Sequence, residues 1–135
     1  MKIYGIGTDL TNVLRIKRSI KKKEFIERIY HNTEIEKCKK QLNKANCFAK
    51  RYAAKEAFSK AIGTGISKGM SFKEIIIHNI KSGKPKIKLT GKTEKLTQKI
   101  LKKKKFEIFL SLSDEKLFAV ATVVISLWKK ILSGY

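Results

Sequence analysis

Two carboxylates stand nearly alone in a strongly basic chain. Asp9 is the only acid in the first 23 residues, and Glu56 is the only acid between Lys37 and Lys73. Glu56 lies in FAKRYAAKEAFSKAIGTGI, residues 48–66, with Arg51 and Lys55 before it and Lys60 four residues after it. Carboxylate, ammonium and guanidinium groups along one rigid element suit a metal-bound phosphate. Mg²⁺ takes hard oxygen ligands, typically one or two carboxylates completed by water and substrate phosphate, and lysine and arginine neutralise the remaining phosphate oxygens. Both acids also have ordinary readings. At a strand-to-helix turn Asp9 reads as a helix cap, and on the shape of the motif alone that reading is the stronger. Glu56 and Lys60, at i and i+4, form an ordinary helix pair worth about a few tenths of a kcal/mol.

The elements that must position these groups can be read around them. IYGIGTDL reads as a first strand, with Tyr4, Ile6, Thr8 and Leu10 on one face and Ile3, Gly5, Gly7 and Asp9 on the other. The glycines leave room for another backbone beside Asp9. Ala49, Ala53, Ala57 and Ala61 recur every fourth residue, so the helix expected from about Ala45 to Ile62 can approach a neighbour closely. Its other flank carries Tyr52, Glu56, Ser59 and Lys60, with Arg51 and Lys55 beside it. Gly63 and Gly65 stop the helix, Gly63 as a left-handed C-cap. Anion contact through the backbone of Gly63, Thr64 and Gly65 is secondary, because phosphate cradles usually form at helix N-termini.

Elsewhere, a helical pattern runs from about Thr11 to Tyr30, with a break at the lysines of 21–23. Thr33–Glu36 has the form of a capping box opening a short helix. FKEIIIHNI (72–80) and Pro85 to Leu89 read as strands joined by a turn at Ser82-Gly83, and Thr93 as the cap of a helix through Ile100. KFEIFLSLS puts Phe106, Ile108, Leu110 and Leu112 on one face, and LFAVATVVISL reads as a central strand. The order gives a single α+β domain over residues 1–135, with packed helices on a mostly antiparallel sheet.

Composition bounds the function. The 135 residues carry a net charge of +21 with 42% hydrophobic residues, enough for a core and too many for a disordered polycation. The charge asks for an acidic partner: nucleic acid, anionic membrane, phosphorylated small molecule or acidic protein. Lysine supplies 28 of the 32 cations, so part of this charge reflects a lysine-rich composition on a solvated surface. No secretory signal opens the chain, and the longest apolar run, 117–128, falls short of the roughly 20 residues a membrane helix needs. Cys38 and Cys47 fit no zinc pattern with His31 and His78, and read as two ordinary thiols in a reducing compartment.

GIGTDLTNVLRI (5–16) together with FAKRYAAKEAFSKAIGTGI closely resembles the holo-[acyl-carrier-protein] synthase family, the small 4′-phosphopantetheinyl transferases. SGKPKIKLTG (82–91) and SLSDEKLFAVATVVI (111–125) extend the resemblance over nearly the whole chain. It implies Mg²⁺-dependent transfer of 4′-phosphopantetheine from coenzyme A to a serine of an acidic apo acyl carrier protein, for fatty acid biosynthesis. Adenosine 3′,5′-bisphosphate leaves. By position, Asp9 and Glu56 match the family's metal ligands and Lys60 its pyrophosphate-contacting lysine. Arg51, Gly63, Thr64, Gly65 and Pro85 fall in segments that line the coenzyme A cleft. Arg15, Phe25 and Arg28 fall on the carrier-docking surface. The serine's proton goes to Glu56 or to a metal-bound water beside it. The resemblance further implies a homotrimer with clefts between subunits, in bacterial cytoplasm or in a plastid-type (apicoplast-like) organelle.

Two positions depart from the family pattern. Asp114 follows S-x-S where histidine is usual, and an aspartate there would repel a phosphate unless turned away. Tyr52 replaces a more typical Trp or Phe. The rival reading is a basic nucleic-acid-binding module resting on the lysine clusters at 21–23 and 102–105. No RNP-type aromatic motif, KH-type GxxG loop or zinc-finger spacing accompanies them. Nor does a basic amphipathic helix with aromatic anchors suggest a membrane surface.

Overall fold

A computed structural model describes residues 1–66 and 68–128. Strand β1 (Lys2–Asn12) is followed by helices α1 (Val13–Ser19), α2 (Lys23–Ile29), α3 (Asn32–Lys39) and α4 (Lys44–Ile62). A 3₁₀ turn (Phe72–Glu74) leads into the hairpin β2 (Ile75–Asn79) and β3 (Pro85–Leu89). Helix α5 (Gly91–Ile100), β4 (Phe106–Asp114) and β5 (Phe118–Leu127) complete the described chain. The strands form a three-stranded antiparallel sheet in the order β1-β5-β4 and a separate antiparallel pair, β2-β3. The architecture is α+β, and β5 is the central strand its β-branched run predicts.

The contact that builds the site is α4 against β1. A Cβ on Gly5 would collide with the backbone carbonyl of Ala61, and one on Gly7 with that of Ala57. The helix therefore lies directly on the strand, glycine against alanine, with no side-chain layer between them. Ala53, Ala57 and Phe58 are fully buried there, with Ala121, Val123 and Ile125 of β5 beneath. The bulge between Ile3 and Gly5 puts Gly5, Gly7, Asp9 and Thr11 on this inner face. Ile6, Leu10, Phe109 and Phe118 lie exposed, and Ile6 and Phe109 flank Val124 across the sheet.

Several elements form at shifted positions. The long first helix breaks at the lysine run, as expected, giving α1 and α2. Asp9 does not cap α1: the strand continues to Asn12, whose side chain accepts from the Arg15 amide. The capping box lies two residues earlier than predicted. His31 accepts from Thr33 N–H while Glu34 accepts from His31 N–H at 2.9 Å. Glu74, not Thr93, caps α5, accepting from the amides of Lys92 and Thr93 at 3.1 Å each. Residues 72–74 form a turn rather than the start of the strand.

Cys38 and Cys47 are not two free thiols; they form a disulfide joining α3 to α4. Their sequence separation gave no metal spacing, but the packing of the two helices brings the Cα atoms to 5.4 Å, within disulfide range. Among the described residues no helix is long and apolar enough to cross a membrane.

Candidate active site

The glycine-alanine contact sets the approach of β1 to α4, and the next inward residue of the strand, Asp9, meets the polar flank of the helix. Lys60 donates to the Thr8 carbonyl at 3.0 Å and to Asp9 Oδ1 at 3.3 Å. Thr11 Oγ1 donates to Asp9 Oδ2 at 2.6 Å, so both carboxylate oxygens are engaged. Glu56 lies one turn before Lys60 on α4 and accepts from the Tyr52 hydroxyl at 3.3 Å. In place of an ordinary Glu56–Lys60 helix pair, Lys60 pairs with Asp9 between helix and strand. Lys60 thus ties Asp9 to α4, the helix that carries Glu56 one turn earlier.

The rest of α4's polar flank faces inward. Lys55 is fully buried, donating to Glu34 Oε1 at 2.7 Å and to the carbonyls of Phe72 at 2.8 Å and Ile75 at 2.6 Å. Glu34 Oε2 accepts from Ile77 N–H. Burial holds the Lys55 ammonium below its ordinary range, and the Glu34 carboxylate opposes that shift. Lys55 therefore ties α3, α4 and β2 together and is not available to a phosphate. Ser59 is buried as well, donating to the Glu56 carbonyl.

Arg51 is buried, and Nη1 donates to the Cys47 carbonyl at 3.3 Å and to Cys47 Sγ at 3.1 Å. Its Nε has no hydrogen-bond partner among the described residues. Burial lowers its guanidinium from the usual range, with Glu34 and Tyr30 pulling the other way. Arg51 lines a cleft of about 560 Å³ together with Lys37, Lys40, Lys50, Asn46 and Asp114. Asp114 is neutralised where it stands: Asn46 Nδ2 donates to it at 2.9 Å and Lys50 lies 3.3 Å away. The cleft does not contain Asp9, Glu56 or Lys60. Five residues of α4, ~7.5 Å of helical rise, separate Arg51 from Glu56.

The remaining predicted positions are distributed around this frame. Gly63 caps α4 at φ +95, and the amides of Gly63 and Gly65 both donate to the Ser59 carbonyl. Those two amides are engaged inside the fold, while Thr64 Oγ1 donates to the Gly65 carbonyl. Pro85 begins β3 opposite Asn79, itself a wall of the cleft. Arg28 is exposed on α2. Arg15 and Phe25 converge on Tyr52: the guanidinium lies 5.2 Å from the ring centroid, and Phe25 stacks at 6.2 Å. Phe72 stacks on Tyr52 at 5.5 Å. Burial, followed by the charge of Glu56, raises the Tyr52 hydroxyl above its ordinary value, so it remains a donor.

Sequence reasoning missed Glu34, Thr11 and the support role of Lys55. Only the adjacency of Glu34 to a helix start signalled it, and that signal said capping. Its second role, as partner of Lys55, depends on a fold that joins residues 21 positions apart.

The strand end carrying Asp9 packs on a helix carrying Glu56 and Lys60 in an α+β fold. The family model of the 4′-phosphopantetheinyl transferase superfamily matches residues 5–123. The holo-[acyl-carrier-protein] synthase of Pelagibacter ubique is 47% identical over 125 residues, covering 93% of this chain and 98% of that protein. The crystal structure of the synthase from Neisseria meningitidis superposes with a TM-score of 0.82 at 37% identity, covering 92% of this chain and 98% of that one. The Helicobacter pylori synthase in complex with coenzyme A gives 0.76 at 32% identity, covering 90% and 99%. The chain belongs to the 4′-phosphopantetheinyl transferase superfamily, among its holo-[acyl-carrier-protein] synthases.

Proposed function

We propose that Asp9, Glu56 and Lys60 carry the transfer of 4′-phosphopantetheine from coenzyme A to a serine of apo acyl carrier protein. The supporting observation is the Asp9–Lys60 pair: it puts the strand carboxylate on the helix that carries Glu56, inside one chain. The donor set fits Mg²⁺. Asp9 and Glu56 supply hard oxygens and leave the rest of a coordination shell to water and substrate. That arrangement suits an ion that keeps water and substrate phosphate in its shell. When bound, Mg²⁺ would supply charge stabilisation at the reacting phosphate.

Lys60 stands ready to move from Asp9 to the diphosphate, adding a cation where charge develops on the departing phosphate. Glu56 accepts the serine proton, directly or through water. Positioning and electrostatics dominate phosphoryl-type transfer, so a strong base is not required. The cationic cleft around Arg51, Lys37, Lys40 and Lys50 receives the phosphorylated nucleotide end of the donor. With Lys50 and Asn46 holding Asp114, its charge does not oppose that.

The exposed apolar residues Ile6, Leu10 and Phe109, with half-buried Val124 between Ile6 and Phe109, support assembly of a homotrimer through the outer face of the sheet. The positive surface favours encounter with an acidic carrier. The nucleic-acid reading finds no support in the relatives, which are named as synthases. We assign the chain to fatty acid biosynthesis, in bacterial cytoplasm as for the bacterial synthases it resembles, with a plastid-type organelle as the second reading in view of the Plasmodium yoelii synthase it also resembles.

The test is incubation with coenzyme A, Mg²⁺ and apo carrier protein, read by mass spectrometry. The carrier gains the mass of phosphopantetheine, and Glu56→Gln lowers the rate by at least about 10²-fold. Undiminished transfer by Glu56→Gln would overturn the assignment of the site.

A further inference from the structure

The two carboxylates of the site are held differently. Asp9 is short and has a partner on each oxygen, Thr11 Oγ1 and Lys60. Glu56 is longer and half-buried. Among the described residues its carboxylate takes one hydrogen bond, from the hydroxyl of Tyr52 one turn earlier. A free glutamate side chain loses rotamer entropy when fixed, so whatever restrains Glu56 beforehand favours ligand capture.

Tyr52 is built to restrain. Its ring packs on Phe25 at an interplanar angle of 28° and on Phe72 at 19°, and the Arg15 guanidinium lies over it. Offset-stacked rings and an arginine at such distances each add to burial in fixing an aromatic side chain. The ring cannot turn without opening contacts to α1, α2 and the 3₁₀ turn. The hydroxyl at its tip is therefore fixed by three elements, and it donates to Glu56 Oε1 at 3.3 Å.

We propose that Tyr52 is a positioning residue for Glu56: its hydroxyl orients one carboxylate oxygen and leaves the other for the metal. Arg15 and Phe25, two residues of the expected carrier-docking surface, hold the ring that carries this hydroxyl. Docking of the carrier and the geometry of Glu56 thus share one side chain. This inference rests on Glu56 as a metal ligand.

The test uses Tyr52→Phe, which removes the hydroxyl and keeps the stack. Mn²⁺ is titrated into the full-length protein with coenzyme A, and free Mn²⁺ is read by electron paramagnetic resonance. Tyr52→Phe is expected to raise the Mn²⁺ dissociation constant about five-fold, the scale of one hydrogen bond. In steady state it lowers kcat while KM for the carrier stays unchanged. Tyr52→Leu, which also removes the ring, raises the carrier KM as well. Parental Mn²⁺ affinity in Tyr52→Phe would overturn the inference. Glu56→Gln in the same titration separates the two claims. If it loses Mn²⁺ while Tyr52→Phe does not, only the role of Tyr52 fails. If Glu56→Gln binds as the parent does, the metal assignment itself fails.

Discussion

Lys55 and Lys60 lie five residues apart on one helix and do opposite work. Lys55 has no exposed surface and three partners from other segments. Lys60 has half its side chain in solvent and holds a carboxylate and a carbonyl of the neighbouring strand. One cation fixes the helix against α3 and β2, and the other is accessible to an incoming phosphate. Burial gives a charge structural leverage because an unpaired ion in a low-dielectric interior is costly. Exposure makes a charge cheap to redirect, because water replaces a lost partner. The same division runs along α4: Cys47, Arg51 and Lys55 anchor it, while Glu56 and Lys60 meet the open edge.

The sharpest way to break this contrast is Lys55→Met. It leaves Glu34 buried without its counterion, and urea unfolding should show a loss of about 3–5 kcal/mol. Combining it with Glu34→Leu should recover much of that loss, since the unpaired charge then disappears. An unchanged midpoint in Lys55→Met would mean that the pair is not a structural tie. Lys60→Ala should give the reverse pattern. Transferase activity falls by about 10²-fold, or about 2.7 kcal/mol of barrier, while unfolding stays within about 0.5 kcal/mol of the parent. Equal losses of activity and stability would erase the distinction between the two lysines.

A smaller effect probes the anchored end. Closing the short loop between Cys38 and Cys47 should contribute about 2.5 kcal/mol by chain entropy, visible as a lower unfolding midpoint after dithiothreitol. Thiol titration of the oxidised protein should find no free cysteine. Identical midpoints with and without reductant would assign the α3–α4 tie to Glu34 and Lys55 alone.

The smallest effect concerns Tyr30, whose hydroxyl donates to the Phe48 carbonyl at 2.8 Å on the same side of α4. Burial first, then the Glu34 charge, raises it well above its ordinary value of 10.0. Above that pH the unfolded chain releases this proton while the folded chain keeps it, so folding stability falls as pH rises. Tyr30→Phe should cost about 1 kcal/mol at neutral pH. Because the variant lacks this titration, the gap to the parent should narrow above pH 10. A constant gap through pH 11 would show that Tyr30 ionises alike in both states.

Much of the site was legible because its signals are local. A lone acid after GIGT and a lone acid on an alanine row stand out in a basic chain. The glycines and alanines also announced a close backbone contact before any partner was known. Helix α4 was harder to read as a whole. It is covered on several sides, so its buried residues include Arg51, Lys55 and Ser59 beside the alanines, and no apolar stripe separates inside from outside. A polar flank read from the sequence as one surface is in the fold two, one sealed and one open. The capping of α5 by Glu74 and the partnering of Asp114 by Lys50 escaped for the same reason, since each joins segments distant in the chain.

By itself the sequence determined the strand-helix order, the antiparallel α+β class, and Asp9 and Glu56 as the residues to watch. These follow from side-chain periodicity, turn chemistry and charge scarcity, which act over a few neighbouring residues. Only the tertiary structure decided that Lys60 turns to Asp9 rather than Glu56, that Lys55 is sealed against Glu34, and that Tyr52 supports the second carboxylate. Those outcomes depend on which surfaces lose water together, and a chain specifies that through packing between distant segments.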